Sequence, residues 1–352
     1  MRIFRCDHCG NALFFENVRC LRCSSELAFL PDRMALCAIE PAEVAGTWRR
    51  KGGADPGRWR PCEHTRTRAC NFGVAADDPN PLCVSCRQTR RLPDLSIPDN
   101  RRRWFRIEVA KRRLFFTLAR LGLVDTRPAG GESTGPRFHF LANLPHEPVL
   151  TGHSDGVITL NVAEADDDER VRRRLALHEP YRTLLGHLRH ESGHFYWEQL
   201  IDQAGRHEDF RRAFGDERAD YAAALDRHYT HGPPAGWQER HVSAYATSHP
   251  WEDWAETWAH YLHLVDLMET ASSFQTQLAL PGFETEQVPD PFAGAPLDFD
   301  SLLRHWLPLT VLVNSLTRSL GQEDAYPFAP SPAALDKLHF VHDLIHAQAA
   351  PR

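Results

Sequence analysis

Three features are missing from this sequence of 352 residues. No stretch approaches the roughly 18 consecutive apolar residues that a membrane-spanning helix needs, so we expect no membrane partner. The first residues show no basic segment followed by an apolar run, and the absence of such a leader predicts a cytoplasmic protein. No repeat of fixed period appears beyond recurring Cys-x-x-Cys pairs, which argues against a solenoid or repeat array.

Cysteine is absent from most of the chain, because all nine cysteines lie at or before position 86. Four of them have the spacing Cys-x2-Cys-x10-Cys-x2-Cys, which is typical of a zinc ribbon because two thiolate pairs can enclose one ion tetrahedrally. Metal can replace a hydrophobic core in so small a module, so we predict a structural zinc ion here rather than disulfides. The four residues are Cys6, Cys9, Cys20 and Cys23.

A second set of four cysteines is less regular, with the spacing Cys-x7-Cys-x12-Cys-x2-Cys. We predict a second structural zinc ion, with His64 as an alternative ligand. The ninth cysteine, Cys37, is predicted to be a small buried apolar residue. Thiolates that bind zinc also indicate a reducing compartment. The second set comprises Cys62, Cys70, Cys83 and Cys86.

Charge is distributed unevenly along the chain. Residues 1–115 carry 22 Lys and Arg against 13 Asp and Glu, a formal charge of +9, whereas the remainder carries 19 against 34, or −15. A basic front is typical of proteins that bind nucleic acid or an acidic protein surface. We favour a simpler interpretation, in which the arginines balance the charge of about −2 that each four-cysteine zinc site contributes.

The segment His190-Glu191-Ser192-Gly193-His194 contains the pattern His-Glu-x-x-His, on a helix predicted from Tyr181 to about Leu200. Residues four apart share one helix face, so both imidazoles can bind the same Zn²⁺ ion. Glu191 is then placed to act as general base on a metal-activated water molecule. The pattern predicts a catalytic zinc site with His190 and His194 as ligands.

Such a site needs a third protein ligand and one open position. Glu252 and Glu256 are also four apart, on a helix predicted to begin after Pro250, and tryptophans beside them indicate that this helix is largely buried. Buried carboxylates need partners, so we predict Glu252 as the third ligand and Glu256 as the acceptor of a ligand histidine N–H. Such a ligand set is that of a gluzincin. Alternative third ligands are His249, Asp253 and His260.

A peptidase also needs a group that stabilises the oxyanion formed when water attacks a carbonyl. We select Tyr245, seven residues before Glu252, with His241 and Tyr261 as competitors. His187 lies one turn before His190, and we interpret it as a core histidine rather than a ligand.

Helical and strand periodicities predict how the remaining chain is organised. A helix from Asp99 to Gly122 opens the large domain, two strands and a charged helix follow, and two helices close the chain, the first of them kinked at Pro308. The other predicted elements are Phe138–Leu141, Gly156–Val162, Asp166–Leu175, Leu297–Leu320 and Pro332–His346.

Several segments together resemble a bacterial family of zinc-binding metallopeptidases that carry an amino-terminal zinc ribbon. The resemblance spans nearly the whole chain, and it implies a zincin-like catalytic domain and peptidase activity. It departs at Phe72, where the family pattern leads us to expect tryptophan. The segments that carry the resemblance are Cys6–Cys23, Leu82–Arg87, Ile158–Asn161, Tyr181–His187 running into His190–His194, Glu252–Tyr261 and Tyr326-Pro327-Phe328.

The sequence therefore predicts an α+β protein with three parts: a zinc ribbon (1–35), a second cysteine-rich zinc module (36–95) and a mostly helical, zincin-like metallopeptidase domain (96–352). We expect one catalytic and two structural zinc ions and a peptide or protein substrate. The rival hypothesis is a non-enzymatic zinc-binding adaptor whose basic front binds nucleic acid or a protein partner. A zinc amidase acting on something other than a peptide would use the same residues.

Overall fold

A computed structural model describes residues 1–53, 55–67, 69–127, 133–168, 183–279, 285–294 and 296–349. The fold is mixed α/β, with seven α-helices and several small sheets in this described part. The chain divides into two compact units, the first formed by Met1–Thr151 and Thr159–Ala165, the second by Gly152–Ile158 and Asp166–Arg352. Both cysteine sets lie in the first unit, and the division at residues 35 and 95 stays a prediction.

The first unit consists mainly of short strands. Strands β1 and β2 form an antiparallel hairpin, and β3 to β7 form an antiparallel sheet in sequence order. Apolar side chains of this sheet, including Leu30, Ile39 and Trp59, form a buried cluster that also contains Cys37. The strand bounds are β1 (Phe4–Arg5), β2 (Ala12–Leu13), β3 (Glu26–Leu30), β4 (Ala35–Pro41), β5 (Trp48–Arg50), β6 (Trp59–Pro61) and β7 (Gly73–Ala75).

Helix α1 (Pro98–Arg120) confirms the predicted opening helix. Proline fits its first turn because it needs no N–H there, and Gly122, with φ of 73°, permits the left-handed conformation that follows the helix end. Its Phe116 packs edge-on against Phe4 and Phe29 with ring centroids 6.0 and 5.9 Å away. Each such aromatic contact is worth about 0.5–1.5 kcal/mol beyond burial, so they anchor α1 to the strands of the first unit.

A four-stranded sheet has the order β10-β11-β9-β8. The turn between β10 and β11 contains Asp155 and Gly156, both with positive φ (51° and 70°), as a type I′ hairpin requires. Both predicted strands are confirmed, with Gly156 in the turn rather than in the strand. The bounds are β8 (Thr89–Arg91), β9 (Arg137–Leu141), β10 (Gly152–Ser154) and β11 (Val157–Asn161).

The second unit is mostly helical. The predicted helices after Pro250, around Leu297–Leu320 and from Pro332 are confirmed, and Pro308 lies inside α6. A short antiparallel pair, β12 (Gln277–Leu278) and β13 (Glu286–Gln287), precedes α6. The helix bounds are α2 (Leu184–Trp197), α3 (His207–Phe214), α4 (Tyr221–His231), α5 (Pro250–Ser273), α6 (Phe299–Ser319) and α7 (Pro332–Ala349).

The helix with the His-Glu-x-x-His pattern begins later than predicted. Thr183 caps it by accepting a hydrogen bond of 3.0 Å from the Gly186 N–H, and after Trp197 it continues as a π-helical turn to Asp202. The predicted start at Tyr181, and most of the charged helix Asp166–Leu175, lie outside the described residues. Among the described helices, none combines the length and apolar character needed to cross a membrane.

Candidate metal centre

Helices α2 and α5 pack closely and bring the predicted ligands together. Gly193 makes the approach possible, since a Cβ atom there would lie 2.9 Å from the Cα of Ala255. Two buried tryptophans of α5 fix the register: Trp254 donates a hydrogen bond of 2.8 Å to the Gly193 carbonyl, and Trp258 donates one of 3.1 Å to the Ser192 hydroxyl. The tryptophans near Glu252 therefore position α2 as well as burying α5.

His190, His194 and Glu252 converge at this crossing. One ligand atom from each lies within 4.8 Å of the other two. Glu252 Oε2 lies 3.0 Å from His190 Nε2 and 3.6 Å from His194 Nε2. The three side chains are thus arranged around a common point, as a chelated ion requires.

The donor set fits a zinc ion. Glu252 is 1% exposed, and its Oε2 has no hydrogen-bond partner in the described part of the chain. A buried carboxylate oxygen without a donor is costly, and a cation between it and the two imidazoles removes that cost. Two nitrogens and one carboxylate oxygen are ligands that Zn²⁺ accepts in catalytic sites, where a fourth position stays open.

The alternative third ligands lie elsewhere and have other partners. His249 caps α5, accepting a hydrogen bond of 3.1 Å from the Trp251 N–H. Asp253 forms a buried ion pair with Lys337, with 2.5 Å between Oδ2 and Nζ. His260 Nδ1 lies 2.6 Å from the Tyr326 hydroxyl. In the described chain, none of the three belongs to the ligand group.

Two carboxylates contact His190 from opposite sides of its ring. Glu256 Oε1 lies 2.7 Å from His190 Nδ1, and its other oxygen accepts a hydrogen bond of 2.6 Å from the Ser243 hydroxyl. Burial lowers the pKa of His190, but the neighbouring carboxylates of Glu252 and Glu256 outweigh burial and hold this pKa well above its usual value. Without metal, the two carboxylates therefore favour the protonated form of His190.

Glu191 follows His190 on α2. Burial raises the pKa of this carboxyl, while the neighbouring His190 and His194 oppose the rise. A carboxylate whose pKa is raised is a stronger base than an exposed one.

Tyrosines surround the remaining side of the ligands. The Tyr245 ring lies 5.9 Å from the His190 ring, between centroids, and burial together with the charge of Glu252 raises the pKa of its phenol well above the usual value. Tyr221 on α4 donates a hydrogen bond of 2.6 Å to Glu252 Oε1. The two residues that compete with Tyr245 for the oxyanion role have other contacts. Tyr261 contacts His342, and His241 lies 3.9 Å from Asp253.

Two neighbours of the ligands were not predicted. Tyr221 lies 31 residues before Glu252 and no spacing rule links them. His153, on β10, stacks on His194 with ring centroids 6.3 Å apart and planes inclined by 15°. Its side chain is 6% exposed, and its Nδ1 lies 3.7 Å from Glu198 Oε1. Both residues come from elements whose position depends on tertiary packing.

The two cysteine sets form compact groups in the first unit. Sulfur atoms lie 3.6 to 3.8 Å apart in pairs such as Cys9 with Cys20 and Cys6 with Cys23, and all nine cysteines are free thiols. Each group of four brings its sulfurs within 4.8 Å of one another, which fits a tetrahedral thiolate site. His64 is not part of the second group and packs edge-on against Trp104.

The chain matches two family models. One, described as "Putative zinc-binding metallo-peptidase", covers residues 100–344, and one described as "zinc-ribbon domain" covers residues 3–97. Relatives include an uncharacterized protein of Mycobacterium bovis and one of Mycobacterium tuberculosis, each 41% identical over 346 residues, which is 98% of this chain and 95% of the relative. No solved structure matches the chain significantly.

Proposed function

The chain belongs to this family of zinc-binding metallopeptidases, and from that premise we propose that it hydrolyses peptide bonds at a zinc ion held by His190, His194 and Glu252. The observation that supports this proposal most strongly is the convergence of both imidazoles on a buried carboxylate oxygen without a hydrogen bond. We further propose that residues 96–352 form a zincin-like catalytic domain. An oxygen atom as the third zinc ligand suits hydrolysis better than sulfur, because the zinc ion then remains a stronger Lewis acid.

When bound, the zinc ion supplies Lewis acidity, which acidifies a water molecule and polarises a substrate carbonyl. Glu191 accepts the proton that the water loses as it attacks the carbonyl carbon. The same carboxyl then donates that proton to the leaving amine nitrogen, so the base is regenerated in each cycle. Its position between two ligand histidines, on a buried helix, keeps the carboxylate close to the reacting atoms.

The surrounding side chains orient the ligands. Glu256 accepts the Nδ1 proton of His190, which leaves Nε2 free to face the metal, and Ser243 holds Glu256 in place. Tyr221 orients Glu252 through Oε1, so that Oε2 faces the imidazoles. We assign oxyanion stabilisation to Tyr245, whose ring borders His190 and whose phenol stays protonated at neutral pH.

We assign one structural zinc ion to each cysteine group, because four free thiols held together would otherwise be unstable in air. Free thiols rather than disulfides also favour a reducing compartment such as the cytoplasm.

The test compares wild-type protein with Glu191→Gln on a mixture of denatured polypeptides, with cleavage followed by mass spectrometry. The glutamine cannot accept a proton but keeps the size of the side chain, so we expect zinc content to persist and cleavage to fall at least about a hundredfold. Equal cleavage by both proteins would refute the assigned base. Absence of cleavage in both, with one zinc bound at the histidines, would favour the adaptor hypothesis instead.

A further inference from the structure

The second unit contains a groove of about 800 Å³ that is separate from the metal ligands. It is lined by α6 from Arg304 to Arg318, by the segment Asp324–Pro330, and by Leu278 and Glu286. This volume lies within the range of about 300–1,000 Å³ that is usual for ligand pockets.

One wall of the groove is fixed before any ligand binds. The Asn314 side chain donates a hydrogen bond of 2.8 Å to the Tyr326 carbonyl and accepts one of 2.9 Å from the Tyr326 N–H. The ion pair between Arg318 and Asp324, 2.6 Å long, holds the same segment to α6. Pro327 restricts the backbone that follows Tyr326. Little conformational entropy is therefore lost from this wall when a ligand binds.

The groove connects to the metal centre through α5. The Tyr326 hydroxyl contacts His260 Nδ1 at 2.6 Å, and the Phe328 ring lies edge-on to the His260 ring at 4.3 Å. His260 follows Glu252 and Glu256 at intervals of four residues, so the three share one helix face. At 1.5 Å per residue, roughly 12 Å of helix separate Glu252 from His260.

The chemistry of the groove suits an apolar peptide segment. Trp306, Leu307, Val311 and Phe328 supply apolar surface, and Leu307 and Val311 remain 45% and 57% exposed. Such an exposed apolar patch beside a groove is typical of a binding surface.

Most polar side chains that line the groove already have partners in the described chain. His305 contacts Glu286 at 2.9 Å, and Arg318 pairs with Asp324. Pro308 has no N–H, so it cannot donate the usual helical hydrogen bond to the carbonyl of Arg304, four residues earlier. An apolar wall whose polar side chains mostly have partners suits the apolar side chains of a peptide better than a polar small molecule.

We propose that this groove binds apolar side chains of the polypeptide substrate, away from the scissile bond, and so selects substrates rich in bulky apolar residues. The proposal rests on the proposed peptidase function for its biological meaning. The physical claim, that the groove captures an apolar peptide, stands on binding alone and is measured without turnover.

The experiment uses the full chain carrying Glu191→Gln and two fluorescein-labelled peptides, Gly-Ser-Gly-Ser-Phe-Leu-Ser-Gly-Ser-Gly and its counterpart with Ser-Ser in place of Phe-Leu. Binding is followed by fluorescence anisotropy. The Val311→Arg variant places a charge in the groove. Its affinity for the apolar peptide should be at least about tenfold lower than that of the parent. The matched control is Leu316→Arg on the same helix. Leu316 lies outside the groove lining and is 56% exposed, against 57% for Val311. This control variant should bind the apolar peptide as the parent does.

Equal affinity for both peptides, or unchanged binding by Val311→Arg, would overturn the proposal. So would equal losses in both arginine variants. If sedimentation showed a dimer that Val311→Arg dissociates and Leu316→Arg does not, a second copy of the chain would occupy the groove instead. None of these results depends on cleavage, so failure of the groove proposal and failure of the peptidase proposal are distinguished.

Discussion

The Tyr221 hydroxyl donates a hydrogen bond of 2.6 Å to Oε1 of Glu252, the carboxylate whose Oε2 faces both imidazoles. One oxygen of Glu252 is therefore held by the protein, whereas the other faces the two histidines of the proposed metal site. The first prediction follows from this difference between the two oxygens of Glu252.

Replacement of Tyr221 by phenylalanine removes the hydroxyl and keeps the ring. Because Glu252 then loses the donor that orients it, we expect zinc affinity at the histidine site to fall by about 10-fold to 100-fold. Competition with a chromogenic chelator measures this affinity. Tyr229→Phe, a more exposed position on the same helix, is the control and should bind zinc as the wild type does. Equal affinity of Tyr221→Phe and wild type would show that Glu252 needs no such support.

Glu256→Gln tests the partner of His190 Nδ1. The neutral amide accepts a hydrogen bond but carries no charge, so the imidazole becomes a weaker donor to zinc, and we expect about a 10-fold loss of zinc affinity with the fold unchanged. Circular dichroism checks the fold, and competition with a chelator measures the zinc affinity. Ser243→Ala, which frees the other oxygen of Glu256, should produce a smaller loss in the same direction. A larger loss in Ser243→Ala than in Glu256→Gln would contradict this order.

Zinc binding should release the proton that His190 holds in the metal-free protein. Although burial lowers the pKa of His190, the carboxylates of Glu252 and Glu256 keep it well above normal, and zinc binds only the neutral imidazole. Affinity should therefore rise with pH, by about tenfold per pH unit, until the pH passes this raised pKa. An ordinary histidine would stop contributing above about pH 6.5.

Chelator competition between about pH 6 and pH 9 distinguishes these cases. Calorimetry in two buffers of different ionisation enthalpy counts the released protons independently. An affinity that is already constant above neutral pH would contradict a protonated His190 in the metal-free site.

Gly193→Ala tests the packing that brings the ligands together. The new Cβ would lie 2.9 Å from the backbone Cα of Ala255, so α2 and α5 must separate, and we expect the free energy of unfolding to fall by about 1–3 kcal/mol. Urea denaturation of the zinc-loaded protein measures the loss. Gly152→Ala is a suitable control because nothing lies within 4 Å of its added Cβ. Equal stability of both variants would mean that the helices tolerate a wider separation.

The residues that converge at the proposed metal site could be selected from sequence because each pair lies on one helix. Residues four apart share a face in any α-helix, so His190 with His194 and Glu252 with Glu256 needed no knowledge of tertiary structure. Tyr221 and His153 could not be found in this way, since they reach the ligands from α4 and β10. Their contacts depend on how separate elements pack.

The choice among the acidic and histidine residues of α5 shows the same limit. Asp253 and His260 were open alternatives because spacing alone does not exclude them. Their partners, Lys337 and Tyr326, lie 84 and 66 residues further along the chain. Only the folded structure shows that Asp253 and His260 contact these partners and not the group formed by His190, His194 and Glu252. The helices were predicted closely, except that Thr183 caps α2 and so delays its start, and that its last turn is π-helical.

The most direct test of the central claim is the zinc content of the purified wild-type chain beside a His190→Ala/His194→Ala variant, measured by mass spectrometry of the metal. Three groups of ligands predict three zinc ions in the wild type and two in the variant, since the cysteine groups are untouched. Equal zinc content in the two proteins would mean that His190, His194 and Glu252 do not hold a metal.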